Sequence, residues 1–484
     1  MFETIPRTPL WKRLAIGGVL VIFAAAGATA VAAFHEIDRI TQAFQTHKAL
    51  RLGADLAVTN PGSPQTLMLL GSDRRPKANG DPAAGGARSD TIMLIRLDPS
   101  KKAIAMMSLP RDLKVQIPGH GTDKINAAYE IGGPKLTLKT VKLLTGLSVN
   151  HVINVDFRGF WAATNAVGCV YADIDRRYFN NSPGYAYINV QPGYQRMCGR
   201  QALQYVRFRH EDNDLVRSAR QQDFLRQAKQ QIGVSKLIGD REKLVKIFGR
   251  YTTSDIRGTS EVLRLLKLAV FSVGQPVREV HFEGQLTSGN VGTNTPSYVE
   301  ASNTQIKKFA RQFLGVEDTK GPRGKLSPKG KRHKGGGDLG LEKAWSAGKD
   351  QAVQAVKQGA GVSLPVLYPT VRTQQSLYAG PPRVYKLRGS DGKRYGAYRM
   401  VLKRGLVGEY YGLQGTTWKN PPILENASEK RKIGRREYEL HYDGDRLRMV
   451  AWRTSKAVYW VSNTLLLTLN ERQMLAIARS ARPL

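Results

Sequence analysis

The apolar residues of the chain fall into one long uncharged run and a later series of short runs. The long run extends from Leu14 to Phe34. As a helix it would span roughly 30 Å, the thickness of a bilayer core. Three basic residues precede it, Arg7, Lys12 and Arg13. The positive-inside rule therefore predicts a single-pass cell-membrane protein with a cytoplasmic tail at residues 1–13, a transmembrane helix at 14–34 and an extracytoplasmic remainder.

A cleaved secretory signal is the competing interpretation of the same run. The small residues Ala28 and Ala30, or Ala30 and Ala32, fit a signal cleavage site. Cleavage would remove the tether but would leave the main part of the chain in the same compartment.

The short apolar runs predict a domain that alternates strands and helices. Strands are predicted at 66–71, 91–97, 103–109 and 151–157, and helices at 216–232, 260–270 and 298–314, with one more helix that has Pro134 in its first turn. This alternation favours an α/β fold, an α/β/α sandwich with a mixed central sheet and helices on both faces.

Composition divides the extracytoplasmic part further. A stalk at 35–62 leads into the α/β domain at 63–316, and a Gly- and Lys-rich linker follows at 317–361. The linker is either a solvated spacer or a segment that binds acidic polymers. Residues 362–484 contain strand-like runs such as RYGAYRMVL and REYELHY and predict a smaller β-rich C-terminal domain, closed by a helix capped at Asn470. Its aromatic residues would suit either sugar stacking or ordinary packing.

The charge and the cysteines narrow the function. Lys and Arg number 74 against 39 Asp and Glu, a formal charge of +35, so the protein should attract phosphates, wall polymers, lipid headgroups or nucleic acid. The predicted topology disfavours nucleic acid. The only two cysteines, Cys169 and Cys198, exclude a four-cysteine metal site and allow either one disulfide or two separately buried thiols.

The densest group of arginines lies in the sequence YVRFRHEDNDLVRSARQQ, from Tyr205 to Gln222. Interpreted as a strand, a turn and a helix, it would place Arg207 and Arg209 on one strand face, and Arg217 and Gln221 on one face of the helix start. Paired guanidinium groups near a helix N-terminus favour a phosphate ligand. The alternative is an arginine-rich surface helix held by ion pairs to neighbouring acidic residues.

Several other motifs precede this segment in a characteristic order. They are GSDRR, ARSDTIMLIRLD, MSLPRDLKV, DKINAAYEIGG and INVDFRGF, and the arginine segment extends back to GRQALQYVRFRHEDNDLVRSARQQ. With these motifs, residues 67–232 closely resemble the LytR-CpsA-Psr family of cell-envelope glycopolymer phosphotransferases.

The resemblance implies roles for individual residues. Arg88, Arg111, Arg207, Arg209, Arg217 and Gln221 would contact the phosphates of a polyprenyl-pyrophosphate substrate. Asp73 and Asp90 would hold Mg²⁺, which prefers carboxylates and phosphate oxygens, and with Arg111 they would be the catalytic residues. A second tier comprises Arg75, Lys124, Asn126, Asp112, Asp214 and Arg220, with Asp112 and Asp214 expected to orient arginines. None of His120, His151 and His210 has the spacing of a metal ligand.

The implied reaction moves a glycopolymer with one phosphate from its polyprenyl-pyrophosphate carrier to a peptidoglycan hydroxyl. The prenyl chain would enter an apolar tunnel, for which Phe157, Phe160, Trp161, Phe208 and Phe224 are candidates, and residues 76–87 would form either a lid or an inert insertion. The alternatives are a polyprenyl-pyrophosphate phosphatase and a non-enzymatic protein that binds wall polymers through its charge. Mg²⁺, the lipid-linked polymer, peptidoglycan and the membrane are thus the expected partners, and nucleic acid is not.

Overall fold

The fold is described from a computed structural model of the chain. It covers residues 50–60, 62–72, 89–101, 103–183, 187–208, 212, 214–231, 247, 250–256, 268, 275, 277–282, 285–287, 298–315, 339–361, 364–405 and 409–484, with the backbone alone at 90 and 285–287. Within these ranges no helix is both long and apolar enough to cross a membrane. The predicted transmembrane helix at 14–34 and the predicted helix at 260–270, apart from Leu268, lie outside the described residues.

The α/β domain contains strands β1 to β14 and helices α1 to α5. The strands are β1 Gln65–Ser72, β2 Ser89–Asp98, β3 Ala103–Leu109, β4 Lys114–Ile117, β5 Gly121–Lys124, β6 His151–Asp156, β7 Val170–Ile174, β8 Tyr178–Asn180, β9 Ile188–Val190, β10 Gly193–Met197, β11 Thr252–Ser254, β12 Val277–Val280, β13 Gln285–Thr287 and β14 Tyr298–Glu300. The helices are α1 Ile125–Thr145, α2 Phe157–Ala166, α3 Gly199–Arg207, α4 Asp214–Gln231 and α5 Asn303–Leu314.

A mixed six-stranded sheet forms the centre of this domain. Its strand order is β11-β6-β1-β2-β3-β12; β6 runs parallel to β1 and β12 parallel to β3, and the other neighbours are antiparallel. Side chains alternate between the faces: Met68 and Leu70 pack with α1 and α5, whereas Leu67 and Leu69 face the side of α4. Helices on both faces of a mixed sheet confirm the predicted α/β fold.

Most predicted elements agree with the structure, but two do not. Residues 298–300 form a strand rather than the start of a helix, which begins after the N-cap Ser302. Residues 199–207, predicted to end in a strand, form helix α3. Its buried residues Ala202, Tyr205 and Val206 follow the spacing of a helix. Because these residues pack together in the core, the segment forms a helix rather than a strand.

The C-terminal domain begins earlier than predicted. Its elements are β15 Leu341–Lys343, α6 Trp345–Lys357, β16 Leu367–Tyr368, β17 Val371–Thr373, β18 Leu377–Tyr378, β19 Arg383–Arg388, β20 Arg394–Lys403, β21 Tyr410–Thr416, β22 Glu429–Ile433, β23 Arg436–Asp443, β24 Arg446–Arg453, β25 Val458–Ser462, α7 Glu471–Ser480 and β26 Arg482–Pro483. Helix α6 lies in the segment expected to be linker, yet Ala352 and Ala355 are buried in the domain core. Helix α7 begins at the predicted cap, where the Asn470 side chain accepts from the Gln473 N–H.

An eight-stranded antiparallel sheet dominates this domain, and its outer face covers the α/β domain. On that face Trp418 and Trp460 join one buried cluster with Tyr171 and Tyr194 from β7 and β10. The Trp460 indole N–H donates to Asp173 at 3.1 Å. A buried aromatic cluster shared by both domains makes this face an interior surface of the protein.

Candidate functional site

An apolar pocket lies between the central sheet and helices α2, α3 and α4. Its cavity volume is about 110 Å³. Its lining residues come from the ends of β1, β2 and β6 and from the three helices: Leu69, Leu70, Gly71, Thr91, Met93, Val155, Asp156, Phe157, Phe160, Leu203, Val206, Arg207, Gln221, Phe224 and Leu225. Among the aromatic candidates, Phe157, Phe160 and Phe224 line it, whereas Phe208 is 1% exposed in the core without lining it and Trp161 is 41% exposed.

A glycine keeps two strands close at this pocket. Gly71 pairs with Thr91 across β1 and β2. A Cβ atom at position 71 would stand 3.1 Å from the Thr91 Cβ, closer than ordinary packing allows. A larger residue here would push the two strand ends apart.

Arg207 supplies a positive charge to this mainly apolar lining. It is the last residue of α3, and its guanidinium lies over the Phe157 ring, 3.7 Å from the ring centroid. Stacking on an aromatic face fixes the plane of a guanidinium group and leaves its edge for other contacts. The predicted side-by-side placement with Arg209 on a strand is wrong, because residue 207 is helical; Arg209 itself lies outside the described residues.

Asp214 joins two further arginines next to the pocket. It starts α4, accepts the Arg111 backbone N–H at 2.5 Å, lies 3.7 Å from the Arg111 Nε, and pairs with Arg217 one turn along the helix. Burial raises the pKa of Asp214, while the neighbouring Arg217 and Arg111 lower it. Asp214 therefore contacts both of the arginines that it was expected to orient.

Gln221 connects this group to the pocket. It lies four residues after Arg217, so the two share one face of α4, and it lines the cavity while donating to the Val206 carbonyl at 3.2 Å. Arg217 and the apolar pocket are therefore neighbours along helix α4.

Asp112, Lys124 and Asn126 extend the network on the other side of Arg111. Asp112 lies 3.5 Å from the Arg111 Nε and 3.2 Å from the Lys124 Nζ, as expected of a residue that orients cations. Asn126 is buried, and its backbone N–H donates to the Arg111 carbonyl at 3.2 Å. These contacts fix the loop that carries Arg111.

Arg220 has a structural place rather than a place in the pocket. It is fully buried and donates to the Tyr205 and Phe208 carbonyls at 3.0 and 2.8 Å, and it also pairs with Asp212. Because these carbonyls flank Arg207, Arg220 is a positioning residue for the end of α3.

The remaining predicted site residues are not described. Asp73, Arg75 and Arg88 lie outside the described residues, and only the backbone of Asp90 is described. Asp73 directly follows Ser72, whose partner across β1 and β2 is Ser89, the neighbour of Asp90. The register thus brings the residues adjacent to both aspartates together at the pocket end of the sheet.

Asp156 was not singled out from the sequence, although it lies within the INVDFRGF motif. It ends β6, lines the pocket and caps α2 by accepting the Gly159 N–H at 2.7 Å. The motif was the only available signal, since an aspartate before a helix is usually just a cap.

A disulfide supports the helix that carries Arg207. Cys169 and Cys198 are bonded, with Cα atoms 4.6 Å apart, which confirms the bridge over the alternative of two free thiols. Cys198 is the N-cap residue of α3. The bridge therefore ties the start of α3 to the strand β7 region.

An apolar cavity with arginines at its border is the arrangement of a protein that binds an amphiphile with an anionic head. The chain belongs to the LytR_cpsA_psr family, whose sequence model matches residues 29–313.

Two curated relatives show the same similarity, and one solved structure is compared with the chain by coverage and identity. The chain is 31% identical to the polyisoprenyl-teichoic acid–peptidoglycan teichoic acid transferase TagT of Bacillus subtilis, over 44% of this chain and 68% of the relative. It is 30% identical to the corresponding transferase TagU of Oceanobacillus iheyensis, over 50% and 72%. The structure of B. subtilis YwtF (TagT) with bound octaprenyl pyrophosphate lipid is 23% identical, covers 56% of this chain and 98% of its own, and superposes with a TM-score of 0.41.

Proposed function

We propose that this protein transfers a glycopolymer together with one phosphate from a polyprenyl-pyrophosphate carrier to a peptidoglycan hydroxyl, and releases polyprenyl phosphate. The observation that carries the proposal is the junction of Arg207 and Gln221 with an apolar pocket. Membership of the family, and the transferase names of TagT and TagU, support the same reaction class.

The pocket suits the prenyl chain and its border suits the pyrophosphate. Phe157, Phe160 and Phe224 would contact isoprene units. Arg207, stacked on Phe157, would present its guanidinium edge to a phosphate oxygen, and Arg111 and Arg217 would approach from the Asp214 side. The substrate would then lie with its lipid inside and its polymer outside.

In the proposed reaction the acceptor hydroxyl oxygen bonds to the phosphorus that carries the sugar. The bond from that phosphorus to the bridging oxygen breaks, the hydroxyl proton passes to water, and polyprenyl phosphate leaves with the bridging oxygen. Charge grows on the leaving phosphate, so fixed guanidinium groups stabilise the transition state more than the ground state.

Asp73 and Asp90 are the proposed holders of Mg²⁺. Carboxylates are suitable donors, and in the sequence Asp73 follows Ser72 and Asp90 follows Ser89, two residues that pair across β1 and β2. When bound, the ion would neutralise phosphate charge. We further propose that the uncharged segment 14–34 anchors the protein beside its lipid substrate.

The experiment compares purified wild type and Arg111→Ala with a lipid-linked donor and a peptidoglycan acceptor. The proposed reaction gives ligated polymer with the wild type and at least a tenfold loss with Arg111→Ala. Released polymer without ligation would indicate a phosphatase instead. Binding that needs no Mg²⁺, weakens with salt and yields no product would indicate a wall-binding protein.

A matched control comes from the pocket. Leu203→Trp would fill part of the cavity and should weaken transfer from a long-chain donor while leaving a short-chain donor unaffected. Leu143→Trp adds the same ring at a side chain that is 61% exposed on α1, and it should change neither.

A further inference from the structure

Three potential metal ligands converge where the two domains meet. Glu279 lies on β12, His281 follows that strand, and Asp443 ends β23 of the C-terminal domain. One donor atom from each lies within 4.8 Å of the other two. In the described part of the chain no other trio of His, Cys, Asp or Glu side chains converges in this way.

Glu279 and Asp443 each use one carboxylate oxygen in a contact outside the trio. The Glu279 Oε1 accepts from the Arg226 Nε at 2.7 Å, and the Asp443 Oδ1 accepts from the Glu279 backbone N–H at 3.1 Å. These bonds hold the two carboxylates in place. Their second oxygens, Glu279 Oε2 and Asp443 Oδ2, face the imidazole of His281.

The spacing is too long for hydrogen bonds and close to that of ligands around one ion. The His281 Nε2 lies 3.7 Å from the Glu279 Oε2 and 3.6 Å from the Asp443 Oδ2. It is a buried nitrogen with no hydrogen-bond partner. Donors about 2.0–2.2 Å from a tetrahedral ion are roughly 3.3–3.6 Å from one another, so both His281 distances are close to those of ligands around one ion.

The two carboxylates are buried among other charged groups. Glu279 and Asp443 are 4% and 3% exposed. Around them lie the carboxylate of Asp223 and the guanidinium groups of Arg226, Arg278 and Arg448.

We propose that Glu279, His281 and Asp443 bind a transition-metal dication of the Zn²⁺ class that fastens the C-terminal domain to the α/β domain. One imidazole and two carboxylates form a donor set that suits Zn²⁺, whereas Mg²⁺ prefers oxygen donors alone. Water supplies the fourth ligand, because the His281 side chain is 12% exposed. The site is separate from the proposed substrate site.

An ion here would stiffen the elements that carry the substrate site. Strand β12 pairs with β3, after which Arg111 follows. Glu279 also anchors Arg226 of α4, the helix that carries Arg217 and Gln221. Metal occupancy should therefore stabilise both domains together.

The test uses the full-length chain without an affinity tag, in excess Mg²⁺ so that any oxygen-donor site is already filled. Zn²⁺ is titrated by calorimetry, and bound metal is counted after gel filtration. We expect one Zn²⁺ per chain, a higher thermal midpoint, and at least a tenfold weaker affinity in His281→Gln and in Asp443→Asn. His120→Gln removes an exposed turn histidine and should bind like the wild type.

A second measurement keeps the proposal falsifiable if the variants fold poorly. X-ray absorption of the wild type loaded with Zn²⁺ should show one imidazole among four light-atom ligands. The proposal is overturned if the protein retains no ion, in which case His281 serves as an imidazolium between the two carboxylates. It is equally overturned by a first shell of oxygen alone, or by binding that His281→Gln leaves unchanged.

Discussion

The backbone N–H of Arg111 donates to the carboxylate of Asp214 at 2.5 Å, joining the end of strand β3 to the start of helix α4. The same carboxylate pairs with Arg217. One buried aspartate therefore sets the separation of two arginines that come from segments more than a hundred residues apart in sequence.

Asp214→Asn tests this positioning role. The amide can still accept the Arg111 N–H, but it no longer carries the charge that draws the two guanidinium groups together. We expect transfer to fall about 100-fold, mainly in kcat, since displaced groups cost the transition state more than they cost binding. Glu300→Gln, at a carboxylate that is 43% exposed, should have no effect. A loss no greater than the fall in folded protein would contradict the role.

Removal of the disulfide should destabilise the fold. The bond between Cys169 and Cys198 closes a segment with a sequence separation of 29, and loss of such a constraint costs about 3 kcal/mol. Urea unfolding of the Cys169→Ala, Cys198→Ala double variant measures the change. Reductant should lower the stability of the wild type to the same level and leave the variant unaltered; an equal response in both proteins would refute this expectation.

The ion pair across the domain interface can be tested with a double-mutant cycle. Arg399 is 1% exposed, and its Nη1 lies 3.4 Å from the Asp173 Oδ1. Asp173→Ala leaves that charge buried without its carboxylate and should cost about 3 kcal/mol. In the Asp173→Ala, Arg399→Met double variant, part of the loss should be recovered. Chemical unfolding of all four proteins in the cycle measures the coupling, and strict additivity would rule out the interaction.

Lys229 should make stability depend on pH in the alkaline range. Burial lowers the pKa of Lys229 from 10.5 to about 8. Between these values the unfolded chain binds a proton that the folded chain does not, so the free energy of unfolding rises with pH. After discounting for partial exposure, the contribution is about 1 kcal/mol.

Lys229→Met should flatten this rise and stabilise the protein at pH 7. The free energy of unfolding of both proteins, measured at pH 7, 8, 9 and 10, gives the slope of each pH profile. The two slopes should differ by the uptake of about one proton at most. Parallel pH profiles would show that the amine is solvated in the folded state.

The sequence predicted the central strands well because each is a compact apolar run, as at 103–109, where the predicted and observed bounds coincide. It also predicted the Asn470 cap, a purely local signal. The segment before Arg207 was predicted wrongly, since alternation over four residues at its end resembles a strand, whereas the helical spacing extends back to Ala202.

Only part of the site could be predicted from the sequence. Arg111, Asp214 and Gln221 could be nominated from motifs, but the choice between a surface ion pair and a ligand-binding group needed the pocket beside them. Arg220 could not be told apart from its neighbours, because its buried contacts with two carbonyls depend on tertiary structure. The trio at the domain interface unites residues 279 and 443, a separation that no local pattern reveals.

The shared aromatic cluster has a practical consequence for how the protein is handled. A shortened chain ending near residue 315 would expose Tyr171 and Tyr194 to water and would leave Asp173 without Trp460. Such a fragment would expose an apolar surface that is prone to association. Aggregation or weak activity of this fragment would result from the loss of the C-terminal domain. The α/β domain is therefore better studied together with the C-terminal domain.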